Sequence, residues 1–177
     1  MKKLIYNSYK TLQHFLFYRV VRTNSKIILL IDIDNTLADT WPTLNKTWKS
    51  ESERLSKLNP FQSVISHLFK NYSPKVYQWV FLSSRNYFSH LVTINWLKKN
   101  NLPAGWKNVI LVQSPMEKID LINKYVKNKI VYFDDLSYNH ENGDMKFYEK
   151  EIELININDY VEYHGYAEIS KIINNYE

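Results

Sequence analysis

The chain has 177 residues, 45% of them hydrophobic and 15% aromatic, which excludes a disordered polymer and suits one domain with a sizeable core. The absence of cysteine excludes a disulfide framework and a thiolate metal site and fits a reducing cytoplasm. The formal charge of +5 is local: Lys2, Lys3, Lys10, Arg19, Arg22 and Lys26 stand in an acid-free opening segment and the rest nearly balances, so the basic character is no sign of a nucleic-acid-binding domain.

Residues 3–21 have helical spacing, with Ile5, Tyr9, Leu12 and Leu16 on one stripe and Phe15, Phe17 and Tyr18 broadening it. Asn7, Ser8, Lys10, Gln13 and His14 interrupt the apolar run, so neither a signal peptide nor a spanning helix is expected. The segment 1–25 is expected to be a basic amphipathic helix, ending near Thr23-Asn24-Ser25, ahead of a single domain over 26–177. It suits packing on that domain or peripheral contact with a membrane or a protein.

Ile27 to Ile31 predict a buried strand. Residues 37–59 are polar, with Pro42 and Pro60 as punctuation, and predict a flap with a short helix. Further along, 61–72 predict a helix, 76–84 a strand, 86–102 a helix, 108–113 a strand, 115–126 a helix begun by Pro115, and 129–135 a strand. Asn142-Gly143 predicts a turn, 151–158 a fifth strand and 166–174 a last helix. Strands alternating with helices predict an α/β, Rossmann-like three-layer sandwich: a central, mainly parallel sheet of about five strands with helices on both faces.

In such sheets the functional groups collect beyond the carboxyl ends of the strands. Asp32, Asp34, Ser83, Ser84, Asp134 and Asp135 all fall there. Two acid-bearing strand ends side by side form an oxygen-rich site for a hard divalent cation, and Mg²⁺ suits it best. Unpaired carboxylates so clustered repel, and a cation resolves the repulsion.

The stretch "IILLIDIDNTLADT" resembles the first motif of the haloacid dehalogenase-like hydrolases, an apolar strand followed by Asp-x-Asp-x-Thr. "WVFLSSR" resembles their second motif, Lys118 in "SPMEKIDLI" sits where their third-motif lysine is expected, and "IVYFDD" resembles their fourth. The resemblance covers roughly residues 26–158. It implies Asp32 as nucleophile, forming an aspartyl-phosphate, and Asp34 as general acid and then base. It implies that Mg²⁺ is held by Asp32, the Asp34 backbone carbonyl, Asp135 directly and Asp134 through water. Ser83, favoured over Ser84, and Lys118 would hold phosphoryl oxygens, with Asn35 of the first motif counted among the phosphate-binding residues. Asn35 also departs from the glycine common in the family, at a place where unusual backbone angles are needed and asparagine tolerates them.

The second acid favours phosphomonoester hydrolysis over dehalogenation. A 5′- or 3′-nucleotidase or nucleic-acid-end phosphatase is an alternative, and a non-catalytic scaffold docking through its N-terminal helix is another. Only 51 positions separate Asp32 from Ser83, which leaves no room for a large cap. An open site suits a bulky phosphorylated substrate or closure by a partner subunit, including a second copy of the chain, with no cofactor beyond the metal. Asn139 and Asp144 are further ligand candidates, Lys124, Lys127 and Lys129 are substitutes for Lys118, and Arg85 either orients substrate or pairs with an acid at the strand end. Trp41 and Trp48 are expected in the core rather than at the site entrance.

Overall fold

The computed structural model describes residues 2–22, 27–140 and 144–175. The expected helix end at Thr23-Asn24-Ser25 and the turn at Asn142-Gly143 lie outside the described residues.

The sheet is built from β1 (Ile27–Ile31), β4 (Tyr77–Ser84), β5 (Val109–Val112), β6 (Ile130–Phe133) and β9 (Val161–His164), in the order β5-β4-β1-β6-β9. Every pairing is parallel, so both faces must be covered and each strand reads as a near-continuous apolar run. Side-chain alternation divides the core in two. Leu29, Ile31, Trp79, Phe81, Val109, Leu111, Val131 and Phe133 face α4 (Gln62–Asn71), α5 (His90–Lys99) and α8 (Tyr166–Asn174). Ile28, Leu30, Val80, Leu82, Ile110, Val112, Ile130 and Tyr132 face α1 (Lys2–Arg22), α6 (Pro115–Tyr125) and α7 (Glu149–Asn156). This is the expected three-layer sandwich.

One expected element is corrected. Residues 151–158 are not a strand: Glu149–Asn156 is helix α7, and the fifth strand is Val161–His164. The alternation of Ile152 and Leu154 with Glu151 and Glu153, and of Ile155 and Ile157 with Asn156 and Asn158, imitates a strand. A parallel neighbour for β6 nevertheless requires a crossover, and α7 supplies it, burying Ile155 with Ile152 and Leu154 beside it. Glu149 and Glu151 in its first turn favour the helix dipole.

The stripe assigned to α1 is also corrected. Phe17, Val20 and Val21 are buried with Gln13, whereas Ile5 and Leu12 point outward and Tyr9 and Leu16 are only half-buried. The helix lies along the edge strand β5, where Gln13 Oε1 accepts the Leu111 N–H at 3.0 Å and so satisfies part of an otherwise open sheet edge. Glu117 on α6 ties the same helix down, accepting from Lys10 Nζ at 3.0 Å and lying 2.7 Å from His14 Nε2.

The connection from β1 to β4 holds the antiparallel pair β2 (Ala38–Asp39) and β3 (Asn59–Pro60), the short helices α2 (Trp41–Leu44) and α3 (Glu51–Ser56), and α4. Ser50 caps α3 by accepting the Glu53 N–H at 3.1 Å. These elements use up the segment, and no separate cap domain stands between Asp32 and Ser83. A further antiparallel pair, β7 (Ser137–Tyr138) and β8 (Lys146–Phe147), follows β6.

Candidate active site

Register decides which residues meet. Ile31 of β1 is opposite Phe133 of β6 and Phe81 of β4, so Asp32 and Asp134 leave adjacent strands together, and Ser83 is next to last in the strand on the other side. The Asp32 N–H donates to Phe133 O at 2.8 Å, extending the ladder to the first acid. Ile33 is fully buried, and its carbonyl accepts the Leu37 and Ala38 N–H groups, both at 2.9 Å. That turn sends Asp32 and Asp34 in different directions.

Asp32, Asp134 and Asp135 are nearly inaccessible, and one carboxylate oxygen from each falls within 4.8 Å of the others. Lys118, carried on the first turn of α6, places Nζ 2.6 Å from Asp32 Oδ1 and 2.6 Å from Asp134 Oδ2. Ser114 and Pro115 make this possible, because the Ser114 hydroxyl accepts the Glu117 N–H at 3.2 Å and starts the helix just short of the site. Asp134 also accepts from Tyr132 Oη and, at 3.0 Å, from the Leu136 N–H. Asp135 accepts from Ser137 Oγ and, at 3.4 Å, from Thr36 Oγ1. Thr36 in turn accepts the Asp135 N–H at 3.2 Å and locks the loop after β1 to the loop after β6.

Asp34 stands apart from this cluster. Arg85 donates to it twice, Nε to Oδ2 at 2.6 Å and Nη2 to Oδ1 at 2.8 Å, and Ser83 Oγ donates to Oδ2 at 3.2 Å. Of the two readings of Arg85, the pairing with an acid is the one the geometry displays. The metal role expected at Asp34 concerned its backbone carbonyl, and its carboxylate is not in the three-acid group.

Asn35 adopts φ 58°, the left-handed conformation its place in the turn requires. Its N–H donates to Ala38 O at 2.8 Å, and its side-chain oxygen accepts from the Thr40 N–H at 3.3 Å and from the Thr40 hydroxyl. Its main-chain N–H and side-chain oxygen thus hold the loop, at a place that lines the same pocket as Asp32. Ser83 is buried and directed at Asp34, while Ser84 is exposed at the pocket rim. Lys124, Lys127 and Lys129 are exposed, so Lys118 alone of the candidate lysines is at the cluster. Asn139 adopts φ 70°, and Asp144 is exposed. Trp48 donates to Thr43 O at 2.8 Å, and the Trp41 ring stacks on His140 at 3.2 Å between centroids.

The electrostatics follow from burial. Three buried carboxylates face one ammonium, so the cluster holds more negative than positive charge. Burial, with repulsion from Asp134, Asp34 and Asp135, pushes Asp32 well above the usual carboxylate range although Lys118 opposes it. Burial and Asp134 push Asp135 up to about 7. Lys118 is driven upward, the attraction of Asp134 and Asp32 outweighing its burial. For Asp34, burial is outweighed by the Arg85 charge and the Arg85 and Ser83 hydrogen bonds, and its pKa is lowered. An oxygen-only donor set with surplus buried negative charge fits a hard divalent cation.

The cluster opens into a pocket of about 430 Å³ whose rim is largely polar. Arg54 and Glu51 of α3 reach it, paired at 2.6 Å, and Gln113 and Tyr148 line it. Sequence reasoning singled out none of Thr36, Tyr132, Ser137, Arg54 or Glu51. Only Thr36 carried a signal, as the threonine of Asp-x-Asp-x-Thr. The others depend on chain crossings that leave no local pattern.

No family model matches the sequence, and no curated protein matches it. Two solved structures of the class C acid phosphatase from Bacillus anthracis, one with tungstate bound, resemble it at 16% identity, covering 100% of this chain and 90% of theirs, with TM-scores of 0.48 and 0.49. A likeness of that size carries no functional weight.

Proposed function

We propose that the chain is a Mg²⁺-dependent phosphatase of the haloacid dehalogenase-like type, hydrolysing a phosphomonoester through an aspartyl-phosphate on Asp32. The observation that carries the proposal is the convergence of Asp32, Asp134 and Asp135 on one point, with Lys118 joining the first two. Asp32, Asp135 and the Asp34 carbonyl would hold the cation directly and Asp134 through water. Bound there, Mg²⁺ would supply the charge neutralisation that lets a phosphate dianion approach a carboxylate.

The remaining chemistry belongs to the chain. Lys118 fixes the Asp32 carboxylate and offsets charge on the transferring phosphoryl group. In the first step an Asp32 oxygen bonds to phosphorus, the ester P–O bond breaks, and Asp34 delivers a proton to the leaving oxygen. In the second, Asp34 takes a proton from water as that water attacks phosphorus, and phosphate departs with Asp32 restored. Arg85 keeps Asp34 ionised at rest, which suits the second step; protonation for the first requires this pair to open. Ser83 holds the Asp34 carboxylate and borders the phosphoryl position.

The test is phosphate release from an aryl phosphate with Mg²⁺. Asp32→Asn is expected to lose activity by about 10³-fold or more. Full activity in that variant rejects the mechanism. A screen of sugar phosphates, nucleotides and lipid-linked phosphates then identifies the substrate.

A further inference from the structure

Helix α1 is apolar on two sides. Its inner side, with Phe17, Val20 and Val21, closes the core. A helix that only covered a sheet would be polar on the other side. Here the outer side carries Ile5, Leu12, Phe15 and Tyr18, all exposed, with Leu12 at 45% and Phe15 at 51%. Ile5, Leu12, Phe15, Arg19 and Arg22 follow one another at spacings of three, four and seven and share one face.

The charges around this stripe have one sign. Arg19 lies over the Phe15 ring at 5.9 Å and Arg22 over Tyr18 at 5.0 Å. Lys107 borders the same groove as Phe15 and Arg19. Tyr18 meets Tyr125 at 5.4 Å, and Lys124 lies 5.1 Å from that ring. No acid occurs in residues 1–26. Self-pairing of this face would set Arg19 and Arg22 against like charges with no acid on the helix to answer them. Exposed aromatics interleaved with arginine, on a helix too polar to span a bilayer, match an anionic headgroup layer.

We propose that the outward face of α1 is a docking surface for an anionic phospholipid bilayer. Leu12, Phe15 and Tyr18 enter the boundary between headgroups and acyl chains, and Arg19, Arg22 and Lys107 meet lipid phosphates. The inner face stays on the domain, so the helix docks without detaching.

The experiment is co-sedimentation of the full chain with phosphatidylcholine vesicles, with and without about a quarter phosphatidylserine. The full chain is expected to sediment with the anionic vesicles and not with the neutral ones. Arg19→Gln/Arg22→Gln is expected to weaken binding by about tenfold or more, and added salt to do the same. Leu12→Ser/Phe15→Ser, at exposed positions, is expected to weaken binding while leaving the thermal transition in place. Equal sedimentation with both vesicle types, or unchanged binding in both double variants, overturns the proposal. A concentration-dependent dimer abolished by Leu12→Ser/Phe15→Ser would also overturn it, assigning the face to a second copy of the chain.

Discussion

Arg85 grips Asp34 with two parallel hydrogen bonds, Nε to Oδ2 at 2.6 Å and Nη2 to Oδ1 at 2.8 Å, and anchors its own Nη1 on Thr93 Oγ1 at 3.2 Å. A fork held at three points positions the carboxylate and stabilises its ionised form. Replacing Arg85 by Gln removes the charge and one prong of the fork. The Asp34 pKa then rises, so the alkaline limb of kcat/KM, set by the need for a protonated Asp34 in the first step, moves to higher pH. Misplacement of Asp34 is expected to lower the rate by about 10- to 100-fold. An unshifted alkaline limb in Arg85→Gln would show that Arg85 does not govern Asp34.

The acid cluster makes the metal-free protein sensitive to alkali rather than acid in one window. Asp135 titrates at about 7 in the folded chain against 3.8 ordinarily, and Asp32 is raised as well. Between those values the folded protein binds more protons than the unfolded chain, so this contribution to stability falls as pH rises. His67 and His90, lowered by burial, act in the opposite direction, and Asp135→Asn isolates the carboxylate effect because it retains both histidines. In chelator, the melting temperature of wild type relative to Asp135→Asn is expected to drop from about pH 5 to about pH 8. Mg²⁺ is expected to restore more stability at the higher pH. A constant difference across that range, or equal Mg²⁺ stabilisation at both ends, would contradict this account.

Lys118 is the one cation inside the cluster among the described residues, and it is itself buried. Lys118→Met leaves Asp32 and Asp134 without their common partner. The expected cost in metal-free buffer near neutral pH is about 3–5 kcal/mol, with activity lost. Mg²⁺ should recover part of the stability but not the activity. Urea denaturation with and without Mg²⁺ measures both, and a variant as stable as wild type in chelator would show that the ammonium is not what holds the carboxylates together.

Gln13 supplies the contact that fastens α1 to the edge of the sheet. Gln13→Leu leaves the buried Leu111 N–H without its acceptor, at an expected cost of about 1–3 kcal/mol. A urea midpoint identical to wild type would remove Gln13 from that role.

Much of the fold was legible because parallel strands buried on both faces must be apolar throughout. Ile27–Ile31, Tyr77–Ser84, Val109–Val112 and Ile130–Phe133 announced themselves in this way. Val161–His164 did not: it is short and half-exposed, and a neighbouring Ile-rich stretch imitated it while forming the crossover helix. On α1, spacing showed a helix but could not tell which apolar residues face inward. That choice was made by the position of β5, whose edge draws Gln13 inward and leaves Leu12 and Phe15 outside.

The sequence by itself determined the residues that reach the site, because a strand's carboxyl end is a local property and acids after apolar runs mark it. Asp32, Asp34, Ser83, Asp134 and Asp135 were named on that ground, and Lys118 by resemblance to a motif. Only the tertiary structure decided how their charges are shared. Lys118 arrives from 86 positions away to join Asp32 and 16 positions away to join Asp134, and Arg85 arrives from 51 positions away to hold Asp34. The engagement of the Asn35 side-chain oxygen by Thr40 within its own loop was likewise decided there. Partner choice in a buried polar cluster depends on distances of a few ångströms between separate elements, which spacing along the chain does not encode.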